Sequence, residues 1–477
     1  MTAAVIDAAS VGPYLRRPAV APPLDPAFCP AWLAWRALER AALSAPGWRR
    51  VAIAVEQPSG AVFVRDAPLP DDRHPDGPAG AAFCERLVKT MLWACGGNRV
   101  WVDGPAGLVD ALRRHYATSP TGRFDARLMG ADIYRAPFEV VAAPRADFPS
   151  ATDGATVLGG HLDGCRIGFD LGASDRKVAA VVDGEVVFSE EVAWDPAVHE
   201  DPQWHFDQID ASLRRAAAHL PRVDAIGGSA AGVYVDNEVR VASLFRSVPR
   251  QLFDRRVRGL FSELREAWGG IPLVVVNDGE VTALAGAMQA GVGGLLGVAM
   301  GSSEAAGYVT PAGALTSRLD ELAFVPIDYA PRAPTDEWSG DRGCGVQYLS
   351  QQATGRLLER AGIDIEPGTP LPQRLEQLQA LMAREDPRAR LVYETIGTYL
   401  GYALLEYGRS YEFGHLSLLG RVMTGAGGDV IVERARAVLG AEDPARAGTL
   451  TFIAASERAK RHGQAVAAAS LPEITAS

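Results

Sequence analysis

Two aspartates stand directly after short apolar runs of the sequence. Asp170 follows the run IGF and begins the segment DLGASDRK, and Asp278 follows VVVN and precedes GE. A carboxylate at the end of a buried strand lies at the crevice where α/β proteins bind ligands. A turn containing Gly and Ser can direct backbone N–H groups at a phosphate while its Asp holds a metal-bound water. A plain hairpin turn at Asp170 and a helix N-cap at Asp278 are the competing interpretations.

Two further loops of small residues follow apolar runs later in the chain. The segment GSSEAAG begins at Gly301 after LLGVAM, and GRVMTGAGG begins at Gly420 after LSLL and opens a predicted helix at 430–439. A glycine-rich helix start suits the phosphates of a nucleotide or a close approach to its adenosine. Together with the two aspartates, these loops predict a phosphate site assembled from distant parts of the chain.

The apolar periodicity predicts the elements that must position these loops. From residue 166 onward, a strand–turn–strand unit is followed by alternating helices and strands, an α/β pattern. Up to about residue 155 the pattern is that of a small α+β domain, and PRADFPSATDGAT follows as a linker. The predicted early elements are helices at 31–45, 79–95 and 106–116 and strands within 50–64, 99–102 and 138–142. The predicted later helices lie at 206–219, 252–268, 347–361, 371–383 and 389–407.

The composition excludes several classes of protein. The 477 residues are 48% hydrophobic and 22% charged, which excludes intrinsic disorder, and 47 basic against 58 acidic residues give a net charge of −11. Such a charge gives no general attraction to nucleic acid or anionic membranes. Five cysteines without a CxxC motif indicate a reducing compartment, and the first residues lack the pattern of a signal peptide. We therefore expect a cytoplasmic protein.

One uncharged stretch, residues 281–303, is long enough to cross a membrane. Gly291, Gly293 and Gly294 interrupt it, and glycine commonly ends a helix. The favoured prediction is a helix that ends at Gly291 and a short buried strand after it.

The order of these motifs resembles the ROK family (repressors, open reading frames, kinases) of the sugar kinase/actin/Hsp70 superfamily, over about residues 166–470. DLGASDRKV resembles the hexokinase pattern DLGGTNFRV, and VNDGEVTALAGA resembles the ROK segment NDANAAALGE. GSSEAAGYVTPAGAL resembles GTGIGGGIVxxGKL, and GCGVQYLS resembles GCxENYLS. HLSLLGRVMTGAGGDVI and HGQAVAAASL are similar to the late adenosine-side segment and the closing helix of the family.

This resemblance implies a two-lobed actin-like ATPase (ribonuclease H-like) α/β fold with a small N-terminal α+β domain added. The expected domains are 1–160 as the accessory domain, 161–290 as ATPase lobe I, and 291–470 as lobe II with a C-terminal return to lobe I. The implied activity is ATP-dependent phosphorylation of a hydroxyl on a sugar, sugar derivative or cyclitol. The implied cofactors are ATP and Mg²⁺. The implied partner is a small hydroxyl acceptor, with no nucleic acid and no membrane, and a homodimer is left open.

The resemblance also assigns roles to individual residues of this chain. Asp278 would be the catalytic base, and Asp170 would orient Mg²⁺ through water. The residues expected to bind ATP are Asp170, Gly172, Ser174, Lys177, Gly301, Ser302, Ser303, Gly420, Gly425, Gly427 and Gly428. Those expected to bind the acceptor are Asn277, Glu321, Gly228 and Ser229.

The chain also departs from the family pattern. ROK proteins usually carry CxCGxxGCxE and a His that bind structural zinc, but only Cys344 stands here, and Phe324 takes the His position. A lone thiol does not make a tetrahedral zinc site, so no zinc is expected. Ser303 and Ala305 replace usual glycines in the second phosphate loop. These departures favour either a kinase whose acceptor is unlike glucose or, as the alternative, a catalytically lapsed sugar-binding regulatory protein.

Three residue groups outside the motifs keep two interpretations each. His199 and His205 stand among acidic residues as metal ligands or as part of a solvated loop that enters a helix. Three tryptophans are predicted either to line an acceptor pocket or to pack in the core. Four arginines are predicted either to bind an anionic group of the substrate or to form a solvated helix face. The residues are Trp194, Trp204 and Trp338, and Arg246, Arg250, Arg255 and Arg256.

Overall fold

The computed structural model describes residues 6–44, 46–71, 74–154, 159–453 and 463–474. The strands are β1 (Trp48–Glu56), β2 (Val62–Pro70), β3 (Arg99–Asp103), β4 (Glu139–Ala142), β5 (Cys165–Leu171), β6 (Asp175–Val182), β7 (Glu185–Ala193), β8 (Ala225–Ala230), β9 (Val233–Val235), β10 (Glu238–Val241), β11 (Leu273–Asn277), β12 (Leu295–Met300), β13 (Glu304–Val309), β14 (His415–Leu419) and β15 (Thr451–Ile453). The α-helices are α1 (Ala31–Ser44), α2 (Gly77–Cys95), α3 (Ala106–Thr118), α4 (Pro120–Arg127), α5 (Pro202–Ala217), α6 (Arg250–Leu252), α7 (Leu260–Ala267), α8 (Asp278–Ala290), α9 (Gln351–Arg360), α10 (Leu371–Met382), α11 (Pro387–Tyr407), α12 (Ala426–Glu442), α13 (Pro444–Thr449) and α14 (Gln464–Ala469).

The N-terminal part of the chain is a four-stranded sheet with helices, the α+β unit expected from the sequence. Its strand order is β2-β1-β3-β4, in which β1 pairs antiparallel with β2 and β3, and β3 pairs parallel with β4. Residues Val51–Val55 of β1 are all buried, because this strand lies inside the sheet. In α2, every residue from Ala79 to Cys95 is buried. The helix is therefore enclosed on all sides.

The first-lobe sheet has the strand order β11-β8-β5-β6-β7. Strands β5, β8 and β11 run parallel, while β6 and β7 form an antiparallel extension. Asp170 lies opposite Ser229, and Asn277 lies opposite Ala230 in the ladder. The carboxyl ends of the three parallel strands therefore meet at one edge of the sheet, where ligands bind in α/β proteins.

The second-lobe sheet has the order β13-β12-β14-β15, in which β12 runs antiparallel to β13 and parallel to β14. Its hydrophobic core is continuous with that of the N-terminal part. For example, the Phe28 ring lies 4.9 Å from the Tyr399 ring, and Trp35 Nε1 donates to the Tyr329 hydroxyl at 3.1 Å. The N-terminal part is therefore anchored to the second lobe by apolar packing.

The closing helix α14 packs onto the first-lobe sheet. A Cβ added at Gly168 of β5 would lie 1.7 Å from the Ala465 carbonyl oxygen, and one at Gly227 of β8 would lie 1.6 Å from that of Ala468. Only glycine permits this approach of helix to sheet. The chain thus returns to the first-lobe sheet near its end.

The uncharged stretch at 281–303 has the predicted structure. Helix α8 is capped by Gly291 with φ +64°, and β12 follows as a buried strand. Among the helices that the structure describes, none is long and apolar enough to cross a membrane.

The helix predicted at 252–268 is not continuous, and this prediction was wrong. Helix α6 passes into a π-helical turn, Phe253–Val257, and α7 begins only after Gly259. A glycine inside a helix costs about 1 kcal/mol relative to alanine, which favours a break there.

Candidate functional site

Asp170 lies at the carboxyl end of β5, nearly enclosed, with 6% of its surface exposed. The hydroxyl of Ser229, from neighbouring β8, donates a hydrogen bond to Asp170 Oδ1 at 2.7 Å. Burial raises the pKa of Asp170, which the Ser229 hydrogen bond and Lys177 partly oppose. The sequence assigned Ser229 to the acceptor, but the structure places its hydroxyl on Asp170.

Asp278 is presented by the first turn of α8, where a capping box fixes the backbone. Asn277 Oδ1 accepts the Gly279 N–H at 2.7 Å, and Glu280 Oε2 accepts the Asn277 N–H at 3.0 Å. Burial and the neighbouring Asp170 carboxylate raise the pKa of Asp278 to about 6. The two sequence-predicted aspartates are thus close enough for their charges to interact. The N-cap interpretation belongs to Asn277, the residue before Asp278.

The Asn277 amide is engaged inside the protein at both ends. Besides capping α8 with its oxygen, it donates through Nδ2 to the Gly232 carbonyl oxygen at 2.6 Å. The side chain therefore ties α8 to the loop after β8. If Asn277 also contacts an acceptor, as predicted, its amide must do so while it keeps these two hydrogen bonds.

A glycine that sequence reasoning did not single out brings Asp278 to the second lobe. A Cβ at Gly279 would lie 2.1 Å from the Ala306 carbonyl oxygen of β13, and one at Gly307 would lie 2.2 Å from the Gly279 carbonyl oxygen. The start of α8 therefore rests on β13 backbone against backbone. The signal was present as the dipeptide Asp-Gly where the family pattern has Asp-Ala.

Glu321 is held beside Asp278 by the N-terminal part of the chain. The N–H groups of Asp320 and Glu321 donate to the carbonyl oxygens of Ala94 and Trp93, at 3.1 and 3.0 Å. These carbonyls belong to the last turn of α2, whose unpaired acceptors need partners. Burial and the carboxylates of Asp278 and Asp320 raise the pKa of Glu321 to about 7. Sequence reasoning found Glu321 but missed the helix that positions it.

Glu280 is a further carboxylate of this region that the sequence did not indicate. Its pKa is raised to about 8, first by burial and then by Asp320, while the Asn277 N–H partly opposes the shift. We call Asp278, Glu280 and Glu321 the cavity carboxylates. The charge of Asp278 adds to the raised pKa of Glu280 and of Glu321, while Asp170 adds to that of Asp278. Each is therefore closer to neutral at physiological pH than an exposed carboxyl group would be.

A cavity of about 520 Å³ is lined by Glu280 and Glu321 and by Asn277, the residue before Asp278, whereas Asp278 and Asp170 are not among its lining residues. Its walls come from the N-terminal part, the first lobe and the second lobe. The lining residues are Gln57, Pro58, Ser59, Tyr134, Gly232, Val233, Tyr234, Val235, Asp236, Asn237, Arg240, Val274, Val275, Val276, Asn277, Glu280, Thr316, Ser317, Arg318, Leu319 and Glu321. This volume is in the range of small-molecule sites.

The first predicted phosphate turn is closed by its own hydrogen bonds. The Gly172 N–H donates to the Asp175 carbonyl at 2.9 Å, and the Gly172 carbonyl accepts from Trp194 Nε1 at 2.8 Å. Ser174 is exposed and donates to Asp175 Oδ2 at 3.0 Å, and Lys177 Nζ lies 3.4 Å from Asp175 Oδ1. The exposed tip of this turn comes directly after β5, the strand that carries Asp170.

The second predicted turn and the Gly420 loop lie at one edge of the second-lobe sheet. The Gly301 N–H donates to the Ser303 carbonyl at 2.9 Å, and Ser302 and Ser303 are exposed. A Cβ at Gly420 would lie 2.4 Å from the Met300 carbonyl oxygen. The structure therefore brings these two loops together.

The remaining predicted glycines occupy different surroundings. Gly425 caps α12 with φ +74° and has open space around it, whereas Gly427 packs against the Tyr393 ring. Gly428 packs against the Met423 carbonyl, and Gly228 against the Phe169 ring. Packing alone accounts for glycine at the last three positions, so their ligand contacts stay predictions.

Packing and hydrogen bonds account for the two histidines and for Trp194 among the residue groups outside the motifs. Both ring nitrogens of His205 lie 3.0 Å from backbone carbonyl oxygens, and His199 stacks on Trp204 at 3.5 Å. Within the described ranges no group of three or more His, Cys, Asp or Glu side chains is arranged to hold a metal ion. Trp194 packs under the first turn, whereas Trp338 is 68% exposed.

The region that resembles the zinc segment is filled by apolar and ionic contacts. Phe324 stacks on Trp93 with ring centroids 4.1 Å apart, and Cys344 is buried in a cluster with Ala323 and Val346. Asp341, three residues before Cys344, forms ion pairs with Arg86 and Lys89 of α2. These contacts join the segment to the N-terminal part of the chain.

Comparison with solved structures shows which fold this is. A ROK-family transcriptional regulator, a homologue of the E. coli MLC protein, is 20% identical, with a TM-score of 0.52, over 64% of this chain and 78% of the other. A ROK hexokinase from Thermus thermophilus is 19% identical, with a TM-score of 0.50, over 64% of this chain and 97% of the other. No protein-family model matches the chain, and no curated protein matches it in sequence. At these identities the likeness is one of fold.

Proposed function

We propose that this chain, whose fold is the two-lobed ATPase fold of ROK sugar kinases and regulators, is an ATP-dependent kinase. It transfers a phosphoryl group to a hydroxyl of a sugar, sugar derivative or cyclitol. The observation that carries this proposal is the placement of Asp278 beside Asp170, next to a ligand-sized cavity lined by Glu321. Phosphoryl transfer depends on positioning and charge neutralisation more than on covalent chemistry by the protein.

Asp278 is suited to accept the proton of the attacking hydroxyl. With a pKa of about 6, it is deprotonated at pH 7.5 and yet more basic than an exposed aspartate. A general base works best when its pKa lies near the operating pH. Its backbone is fixed by the capping box and by the contact of Gly279 with β13, so the carboxylate is positioned before the substrate binds.

The residues present fit Mg²⁺ and ATP. Asp170 offers a hard oxygen donor of the kind Mg²⁺ prefers, and the Ser229 hydrogen bond orients that carboxylate. When bound, Mg²⁺ neutralises charge on the phosphates that are transferred. We assign the exposed turns at Ser174 and at Ser302 and Ser303 to the phosphates, and the open helix start at Gly425 to the adenosine side.

The test is an ADP-release screen with Mg-ATP over a panel of sugars, sugar derivatives and cyclitols. For the active acceptor, we expect Asp278→Asn to lower kcat by about 10²–10⁴-fold, the usual contribution of a positioned base. Asp110→Asn, on the exposed face of α3, is the matched control and should keep full activity. The rate of the unaltered protein should fall as pH drops through about 6, because Asp278 then gains a proton. Undiminished turnover in Asp278→Asn would refute the assignment.

A sugar-binding regulatory protein is the second candidate. The similarity in fold to a ROK regulator and the side chains of Ser303 and Ala305 at the second turn favour it. Isothermal titration calorimetry separates the two candidates. A regulator of this kind would bind a sugar without binding Mg-ATP, whereas the kinase would bind both.

A further inference from the structure

Two arginines from different parts of the chain line the cavity beside Asp278. Arg240 lies on β10 in the first lobe, and Arg318 precedes Glu321 in the second. Neither residue belongs to the motifs that predicted the site. Some hydrogen-bond donors of both guanidinium groups have no partner among the described residues.

Arg240 is 8% exposed, and the described residues offer no hydrogen-bond partner to its Nε and Nη1 atoms. Nη1 lies 3.0 Å from Glu238 Oε2 without hydrogen-bond alignment, and the same oxygen lies 3.3 Å from Arg135 Nη1. One carboxylate is therefore shared by two guanidinium groups. A buried donor without a partner is costly, so its retention at a cavity wall needs an explanation.

Arg318 is held mainly by aromatic rings rather than by acids. Its guanidinium lies 4.6 Å from the centroid of Phe63 and 5.1 Å from that of Tyr411, and Nη1 donates to Cys95 Sγ at 3.1 Å. Within the part of the chain that the structure describes, Nε has no hydrogen-bond partner and no carboxylate lies within ion-pair distance. The rings fix the group in place, and the nearby Asp320 carboxyl group interacts with its charge without forming an ion pair.

The acids in the cavity do not cancel these charges permanently. Burial raises the pKa of Glu280 to about 8, and its carboxylate already accepts the Asn277 N–H. The pKa of Glu321 is raised to about 7. Both acids can therefore be neutral near physiological pH, whereas guanidinium groups stay charged. Asp236 is the third acid of the lining and is exposed, and the guanidinium groups of Arg240 and Arg318 are the positive charges that an anionic ligand would meet.

We propose that the acceptor carries an anionic group, a carboxylate or a phosphate ester, which Arg240 and Arg318 bind while a hydroxyl of the same molecule faces Asp278. The part of this inference that places a hydroxyl at Asp278 rests on the proposed kinase function. Arginine suits both anions because its planar donors match paired oxygens. Gln57, Ser59 and Tyr134 of the N-terminal part complete the wall of this cavity. The N-terminal part thus helps to select the acceptor.

The experiment compares matched acceptors by calorimetry and by ADP release. The probes are D-glucose, D-glucuronate and glucose 6-phosphate, and myo-inositol with its monophosphates. We expect at least one acid or phosphate ester to bind 10-fold or more tightly than its neutral parent. Arg240→Gln should reduce that affinity 10- to 100-fold and leave the affinity for the neutral parent unchanged. Arg265→Gln, on the exposed face of α7, is the matched control.

Arg318→Gln removes ring contacts as well as charge, so circular dichroism must show that this variant folds. If the Arg318→Gln variant is unfolded, the conclusion is drawn from Arg240→Gln. Preference for glucuronate or for the phosphate esters identifies which anion the site takes. Equal binding of neutral and anionic probes, no binding of any anionic probe, or no effect of Arg240→Gln would overturn the proposal. ADP release with neutral acceptors alone would support the kinase function and contradict the anion site. Binding of an anion without ADP release would leave the anion site standing without the kinase.

Discussion

Two groups of buried charges in this protein differ in how neighbouring charges compensate them. The α2 ion-pair cluster consists of Glu85, Arg86, Lys89, Asp125 and Asp341. In it, Lys89 Nζ lies 3.0 Å from Asp125 and 3.2 Å from Asp341, and Arg86 Nη1 lies 2.9 Å from Asp341. The cavity carboxylates Asp278, Glu280 and Glu321 have other carboxylates as their charged neighbours.

The pKa values express this difference. Burial would raise the pKa of Asp341, but Arg86 and Lys89 hold it well below its usual range. Burial also raises the pKa of Glu321, and there the neighbouring charges add to the shift. A compensated cluster holds elements together, whereas an uncompensated one costs stability and is retained where function needs it. The first group is therefore structural, and the second belongs to the proposed site.

The variant Lys89→Met gives the strongest test of the difference between the two groups. Lys89 is fully buried, and its loss would leave Asp125 and Asp341 with Arg86 as the remaining cation of the cluster. We expect a loss of stability of about 3–5 kcal/mol, the usual cost of stranding a buried charge. Urea unfolding followed by circular dichroism measures it.

Two further variants show whether the effect comes from the stranded charge. Adding Asp125→Asn to Lys89→Met should recover part of the loss, because one uncompensated carboxylate is then removed. Arg390→Met, which breaks an exposed pair with Glu394 at 2.8 Å, should cost less than about 1 kcal/mol. An equally mild effect of Lys89→Met would contradict a structural role for the cluster.

Glu321→Gln should act in the opposite direction on stability. Among the described residues the Glu321 carboxylate has no hydrogen-bond or ion-pair partner, so a neutral isostere removes a desolvation cost. We expect a gain on the order of 1 kcal/mol at pH 8, together with weaker acceptor binding. Unfolding and the KM for the active acceptor are measured on the same preparation. A loss of stability would mean that Glu321 belongs with the compensated cluster.

The sequence predicted the elements that carry the site better than the contacts between them. The strands before Asp170 and Asp278, the helix end at Gly291 and the strand before Gly420 could be read from local patterns, because apolar runs and glycine stops act over a few residues. Asp278 and Asp170 were predicted as site residues because each follows an apolar run that forms a strand. Ser229 was identified as a site residue, but its contact with Asp170 arises only from the parallel register of β5 and β8.

The contribution of the N-terminal part could not be predicted from local patterns. Glu321 is positioned by carbonyls of α2 more than 220 residues earlier in the chain, and Phe324 stacks on Trp93 of the same helix. No periodicity reports such long-range pairs. The loss of the zinc-type cysteines was visible in the sequence, but the partners of Asp341 and Phe324 in that region were not. Arg240 and Arg318 were missed for the same reason.

The smallest effect concerns the pH dependence of stability. The raised pKa values of about 6 for Asp278, 7 for Glu321 and 8 for Glu280 mean that the folded protein holds protons that the unfolded chain has lost above about pH 5. The stability linked to these protons is complete below the unfolded pKa values and is lost as pH rises through 6 to 8. We expect the apparent Tm to fall by a few degrees from pH 6 to pH 8, in proportion to the linked stability that is lost. Calorimetric scans measure the slope, and Glu321→Gln should flatten it because one titrating group is gone. A Tm that rises over this interval would mean that cations, rather than neighbouring acids, control these carboxylates.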